Sequence, residues 1–366
     1  MTESLPSYAT MHEIIVAARN SVTRSVWNYI TGAAETETTL RRNRHCLDCL
    51  ALRPRILRDV RNIDTSTRFL GHPLRIPCLL APIGSLQTVT PEGGLAVARA
   101  AAEFGVVNFV STVTEPSLEE ISKATGSPQI FQIYIRGDEA WVDALIDRAR
   151  NAGYAAIALT VDSAYYGRRE RQLITGWRPP SIQRYDESAR ALQAGLTWEW
   201  TDRMRERAGL PFILKGIQTA EDAEIALRHG VAALYVSNHG GRQMDHGDAT
   251  IEILKEVVEA AKGTGVEIVV DGGVERGTDV LKALALGATA VGLGRYQGWA
   301  LAAGGQKTLV RALEIMEAEI RNTMGLVGVA SIGELHPGFV REARAVERAH
   351  ELSAFPFLPE EIRGPK

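Results

Sequence analysis

Between residues 78 and 294 the chain carries eight short apolar runs, all but one of them followed by a stretch with helical spacing. The runs are 78–83 (CLLAPI), 106–110 (VVNFV), 129–134 (QIFQIY), 155–161 (AAIALTV), 211–215 (PFILK), 231–237 (VAALYVS), 266–271 (VEIVVD) and 289–294 (TAVGLG). Helical patterns occupy 91–104, 116–124, 138–151, 219–229, 249–262 and 276–286, and another, 305–322, follows the last run. None of the runs alternates polar with apolar residues, so each must be buried on both faces, as in a parallel sheet covered by helices. Eight is the number that closes a (β/α)8 barrel, and about 250 residues is its usual span. An open doubly wound sheet would carry its glycine fingerprint after the first strand, and Ala81-Pro82-Ile83-Gly84 is not GxGxxG. The chain is therefore expected to form an α/β fold, a TIM barrel, in a single domain over 1–366. Its predicted parts are an N-terminal helical leader (1–77), the barrel (78–335) and a C-terminal tail (336–366).

Within the leader, residues 5–30 are predicted as one helix ended by Gly32, with a second short polar helix over 35–43. An extended arginine- and proline-rich segment then runs to the first strand. The repeat is interrupted once, by an insertion at 162–210 after the fourth strand; a loop of this length on a barrel is expected to face the substrate.

Composition narrows the partners. With 45% hydrophobic residues, 23% charged residues and a formal net charge of −3, nothing attracts the chain as a whole to nucleic acid or to an anionic membrane. The start, MTESLPSYATMHEI, lacks a basic region followed by an apolar core, so the expectation is a cytoplasmic protein. Cys46, Cys49 and Cys78 are an odd set, which disfavours a disulfide framework. The Cys46-Leu-Asp-Cys49 spacing has no second pair to complete four ligands, so no metal site is expected.

Catalytic groups of such barrels sit at the C-terminal ends of the strands. In order these ends carry Pro82, Ile83 and Gly84; Ser111; Gln132 and Tyr134; Thr160 and Asp162; Lys215; Ser237 to Arg242; Asp271 and Gly273; and Gly294 with Arg295. The sixth, Ser-Asn-His-Gly-Gly-Arg, brings an imidazole and a guanidinium to one strand tip with little bulk between them. Histidine is the ordinary base at neutral pH, and an arginine fork matches a carboxylate. The glycines of GGVERGTD and GLGR cluster after the seventh and eighth strands, where barrels commonly hold a phosphate. A cofactor with one phosphate is implied, either a flavin mononucleotide or pyridoxal phosphate. Lys215 suits either a Schiff base or a cation beside a ring that gains negative charge. His239, Arg242, Arg169, Tyr134 and Asp162 favour the second role, acting on a small carboxylate substrate.

The motifs TLRRNR, LRPRIL, APIG, FQIY, LTVD, GRRE, LKGI, SNHGGRQMD, DGGVERGTDVLKALALGA and GLGR resemble the FMN-dependent 2-hydroxy acid dehydrogenase and oxidase family, over about residues 10–335. The resemblance implies FMN as cofactor and oxidation of a 2-hydroxy acid to a 2-oxo acid, with hydride passing to flavin N5. His239 then corresponds to the base and Asp162 to the carboxylate that orients it. Arg242 matches the substrate-carboxylate clamp, Arg169 a second arginine over the substrate, and Tyr134 a hydroxyl near the reacting centre. Lys215 is similar to the lysine that offsets charge on the reduced ring. Pro82, Ile83, Gly84, Ser111, Gln132, Thr160, Ser237, Asp271, Gly273, Arg276, Gly294 and Arg295 correspond to flavin contacts. The electron acceptor is oxygen or another oxidant, and the family suggests a homo-oligomer, typically a tetramer.

Three positions depart from the family pattern. Asn28 stands where the first of two tyrosines is expected to hold the substrate carboxylate. Val113 replaces an aromatic residue on the substrate wall, leaving room for a larger group. Glu275 replaces the first arginine of the phosphate loop, with Arg276 next to it. Asn28 and Val113 raise an alternative donor, an amino acid or a bulky natural-product intermediate. Gly84 resembles the dehydrogenases of the family rather than its oxidases, which have alanine there.

Overall fold

The computed structural model describes residues 8–183 and 187–363. Each of the eight apolar runs is a strand: β1 Cys78–Leu80, β2 Asn108–Ser111, β3 Gln129–Ile133, β4 Ala156–Thr160, β5 Phe212–Ile217, β6 Ala233–Val236, β7 Glu267–Val270 and β8 Ala290–Leu293. They pair in sequence order, all parallel, and the barrel closes through β8 on β1 with Val291 opposite Cys78. Almost every strand residue is buried, because helices cover the outside and side chains fill the inside.

Tyr235 shows how that interior is filled. Its ring meets Phe109 of β2 edge-on at 5.6 Å and lies 4.7 Å from the Lys215 ammonium of β5. A β-carbon on Gly292 of β8 would come 1.9 Å from the Tyr235 hydroxyl. Only a residue without a side chain leaves space for the tyrosine on that side of the barrel.

The leader differs from its prediction. In place of one helix over 5–30 there are two, Met11–Ser21 and Arg24–Thr31. Val22 is extended between them, and Thr23 caps the second helix by accepting a hydrogen bond from Val26 N at 3.3 Å. The next helix runs over Thr38–Asp48 rather than 35–43, with Asp245 Oδ1 accepting from Thr39 N near its start. A carboxylate from the loop after β6 thus sets where this helix begins, which local spacing does not reveal.

Leader and tail meet in a short antiparallel ribbon, Leu50–Leu52 against Val340–Glu342. Phe355 of the tail is buried edge-on against Trp299 and His12. The helix after β8 spans Arg295–Val327 with a non-helical break at Gly304 and Gly305, longer at its start than the predicted 305–322. In the insertion the helices are Glu170–Thr175, Pro180–Gln183, Glu187–Ala194 and Trp198–Ala208. Among the described residues no helix is long and apolar enough to cross a membrane.

Candidate active site

The C-terminal mouth of the barrel opens into a cavity enclosing about 1360 Å³, solvent at its mouth included. Of the residues expected there, Pro82, Ile83, Gly84, Val113, Tyr134, Arg169, Lys215, His239, Arg242, Asp271, Gly273, Gly294 and Arg295 line it. The insertion contributes Ser163, Tyr166, Arg169, Ser181 and Gln193 to the same wall, as a substrate-facing loop should.

His239 sits in the left-handed region (φ 58), held in a tight turn in which Asn238 Oδ1 accepts from Gly241 N. Asn238 in turn exchanges two amide hydrogen bonds, 2.9 and 2.8 Å, with Asn43 of the leader. The imidazole bridges two side chains. Nδ1 lies 3.0 and 3.1 Å from the Asp162 carboxylate, and Nε2 lies 3.0 Å from the Tyr134 hydroxyl. A carboxylate accepts, so Nδ1 carries the proton and Nε2 presents its lone pair toward Tyr134 and the cavity. Asp162 itself is fully buried behind the ring and is not part of the cavity wall. Its place depends on Gly216, at φ +118, where a β-carbon would lie 2.7 Å from Asp162 Cβ. Burial holds the His239 pKa below its ordinary value, against the opposing charge of Asp162. Burial raises the Asp162 carboxyl, but the charges of His239 and Lys215 outweigh this and hold it low. The pair at neutral pH is a neutral imidazole on an ionised carboxylate.

Lys215 Nζ donates to Ser237 Oγ at 2.7 Å and lies 3.2 Å from Asp271 Oδ2, while Ser237 Oγ donates to Asp271 Oδ1 at 2.6 Å. Ser237 accordingly acts through Lys215 and Asp271 rather than lining the cavity. Ser111, Gln132 and Thr160 also lie beneath the wall at the ends of β2, β3 and β4. Gln132 Nε2 donates to Thr160 Oγ1 at 2.8 Å, and its buried Oε1 has no hydrogen-bond partner among the described residues.

Three guanidiniums cluster beside the tip of β6. Arg242 donates from Nη1 to Tyr29 O and Gly32 O, both 2.7 Å, and sits 5.1 Å from the Tyr29 ring. Arg169 donates to Arg242 O at 3.2 Å and lies over the Tyr166 ring at 4.2 Å. Arg295 donates to Thr31 O, Gly32 O and Gly240 O. Burial, then the like charge of Arg169, push the Arg242 pKa down to about 9. Like charges held this close form a site awaiting an anion.

Two expected residues lie elsewhere. Asn28 does not line the cavity, and Tyr29 does; the Tyr29 hydroxyl donates to Gly84 O at 2.7 Å and its ring packs on Trp177. The helix Arg24–Thr31 turns its buried face, Val26, Trp27, Tyr29 and Ile30, inward, which leaves Asn28 only partly covered. Arg276 is likewise directed away, paired with Glu319 at 2.7 Å and donating to Ala354 O, while the adjacent Glu275 faces the cavity. Gly84 has a local explanation, since a β-carbon there would lie 2.7 Å from Val113 Cγ2. Gly84 and Val113 are thus one packing solution.

Beyond these, the structure brings in Asn43 and Arg44. Arg44 donates to Gly273 O at 2.9 Å and makes a buried bidentate pair with Asp279, 2.6 and 2.8 Å, fastening the glycine turn after β7 to the leader. Both residues stand in the TLRRNR run, whose composition gave no hint that its polar side chains are buried. The backbone N–H groups of Gly272 and Gly273, both at positive φ, together with Gly294 and Arg295, suit a phosphate. Lys215 and the spare Gln132 Oε1 suit the polar edge of a flavin ring.

The model of the FMN-dependent dehydrogenase family matches residues 18–342. Glycolate oxidase of Spinacia oleracea is 37% identical over 345 residues, covering 89% of this chain and 93% of the relative. The 4-hydroxymandelate oxidase of Amycolatopsis orientalis is 38% identical, covering 89% and 96%. A crystal structure of mandelate oxidase with (S)-4-hydroxymandelic acid superposes with a TM-score of 0.86 at 37% identity, covering 92% of this chain and all of that one. With a cavity built for a flavin at the mouth of an eight-stranded barrel, this chain belongs to the FMN-dependent dehydrogenase family, and FMN is its cofactor.

Proposed function

We propose that this FMN-dependent oxidoreductase oxidises a 2-hydroxy acid to the 2-oxo acid, with His239 Nε2 as the base. The observation that carries the reading is the Asp162–His239–Tyr134 chain of hydrogen bonds beside three guanidiniums that line the same cavity. The donor's carboxylate is held by Arg242, with Arg169 beside it and the Tyr29 hydroxyl turning from Gly84 O to complete its shell. His239 Nε2 takes the hydroxyl proton, and Asp162 stabilises the imidazolium that results. Tyr134, whose phenol burial holds far above its ordinary pKa, remains protonated; its O–H, directed at His239 Nε2 before the donor binds, turns to the donor's oxygen and so frees the base. Bound FMN supplies the acceptor for the electron pair that leaves the α-carbon. Lys215, in hydrogen-bond contact with Ser237 and paired with Asp271, holds a positive charge at the floor of the cavity where the ring gains negative charge.

The alternative donor, an amino acid or bulky natural-product intermediate, loses half of its motive once Tyr29 rather than Asn28 faces the substrate. Val113 still widens the wall, and with Gly84 beside it the room favours a 2-hydroxy acid with a substantial side chain. Oxygen or another oxidant completes the cycle. A cytoplasmic homo-oligomer accords with three unpaired cysteines and with the family resemblance.

Anaerobic mixing of the yellow protein with a panel of 2-hydroxy acids and the matching 2-amino acids tests this. Bleaching of the flavin by hydroxy acids alone is the expected result; bleaching by amino acids alone would refute it. Tyr29→Phe should raise KM for the donor about tenfold, the worth of one hydrogen bond to a charged group at the lower end. Asn28→Ala should leave KM unchanged, and the opposite order in steady-state kinetics would restore Asn28 to the site.

A further inference from the structure

The turn after β7 carries an acid where its cargo is an anion. Glu275 follows Gly272-Gly273-Val274 on the cavity wall, is only 6% exposed, and its Oε2 has no hydrogen-bond partner among the described residues. The charged groups that face it come from three elements: Arg44 and Asp48 from the leader helix, Asp279 from the helix after β7, and Arg295 from the turn after β8. Arg44 is committed to Asp279, Asp48 and Gly273 O, and Arg295 to the carbonyls of Thr31, Gly32 and Gly240. Arg276, next in the chain, is turned to Glu319. Burial pushes the Glu275 carboxyl up to about 8, with Arg44 opposing and Asp279 reinforcing. A buried carboxyl without a cationic partner keeps its proton, and a protonated carboxyl is a hydrogen-bond donor.

We propose that Glu275 holds the FMN phosphate as a neutral acid, donating a hydrogen bond to a phosphate oxygen, so that ionising Glu275 loosens the cofactor. This rests on the reading of the glycine turns after β7 and β8 as the phosphate end of the site. The direction follows from the charges. Below about pH 8 the acid donates; above it a carboxylate faces a phosphate of charge near −2, and like charges repel. The bound phosphate itself favours the protonated acid, so the loss falls on the alkaline side of that value. An arginine at the same place would keep its charge throughout.

The experiment follows flavin fluorescence as FMN leaves the holoenzyme on dilution, at constant ionic strength, from about pH 6.5 to about 9.5. Riboflavin rebinding to the stripped protein over the same range is the phosphate-free control. On the alkaline side Kd for FMN should rise by up to roughly tenfold per pH unit, as one coupled proton requires, while Kd for riboflavin stays flat. Glu275→Gln, whose amide donates without titrating, should bind FMN with a flat profile, and Glu275→Arg should bind it more tightly than wild type and equally flat. Riboflavin binding by each variant reports that it is folded. An FMN-to-riboflavin affinity ratio well above one but constant with pH, or a wild-type slope retained in Glu275→Gln, overturns the role of Glu275. Equal affinity for FMN and riboflavin at every pH overturns the phosphate assignment of the turns as well.

Discussion

His239→Gln retains its FMN and loses reduction of that flavin by the donor, by about 10²–10⁴-fold, the contribution of a positioned general base. The cavity explains why the loss falls on chemistry. Among the described residues the His239 ring bonds only Asp162 and Tyr134, whereas the turns after β7 and β8 are tied to the leader through Arg44 and Arg295. Glutamine accepts through its amide oxygen but does not take up a proton, so Tyr134 keeps a partner and the base is gone. The wild-type pH profile supplies a second reading. Burial lowers the His239 pKa, so the neutral base is fully present at neutrality and is lost as pH falls through a value below the ordinary histidine range. Rapid-reaction measurement of flavin bleaching against pH should therefore show an acid limb below about pH 6.5 in the wild type. Near-normal bleaching by His239→Gln would mean that the base is another group.

The second large effect is expected at Arg242. Arg242→Met should lower kcat/KM by roughly 10²–10³-fold, about 3–4 kcal/mol, the cost of removing one member of a desolvated charge pair. Most of that should appear in KM, because the carboxylate is bound in ground state and transition state alike. The folded protein should lose little stability. Without donor, Arg242 is crowded by Arg169 and Arg295, so its removal relieves repulsion, and Gly32 O still accepts from Arg295. Thermal unfolding beside steady-state kinetics separates the outcomes: a large fall in Tm with unchanged KM would make Arg242 a structural residue rather than the clamp.

Both predictions concern residues visible in one linear motif, and that motif was legible for a physical reason. A strand end must present polar groups to solvent or ligand, so the SNHGGR sequence after an apolar run already places the proposed base and the proposed clamp at one tip. The two corrections fell where spacing along the chain is a poor guide to direction in space. Asn28 and Tyr29 are neighbours on a helix, about 100° apart around its axis, and only packing against the barrel decides which faces inward. Glu275 and Arg276 are neighbours in a turn, where the positive φ of Gly272 and Gly273 sends one to the cavity and the other to Glu319.

The order of elements, the closure of the barrel and the strand ends that line the cavity were all determined by the sequence alone, because burial on both faces imposes short unbroken apolar runs. Tertiary structure alone decided how the leader enters the site: the Asn43–Asn238 amide exchange and the Arg44–Asp279 pair join residues 195 and 235 positions apart, and packing turns Tyr29 inward. Contacts of that kind leave no periodic trace, since a single buried polar pair is specified by where two elements cross and not by the pattern of either.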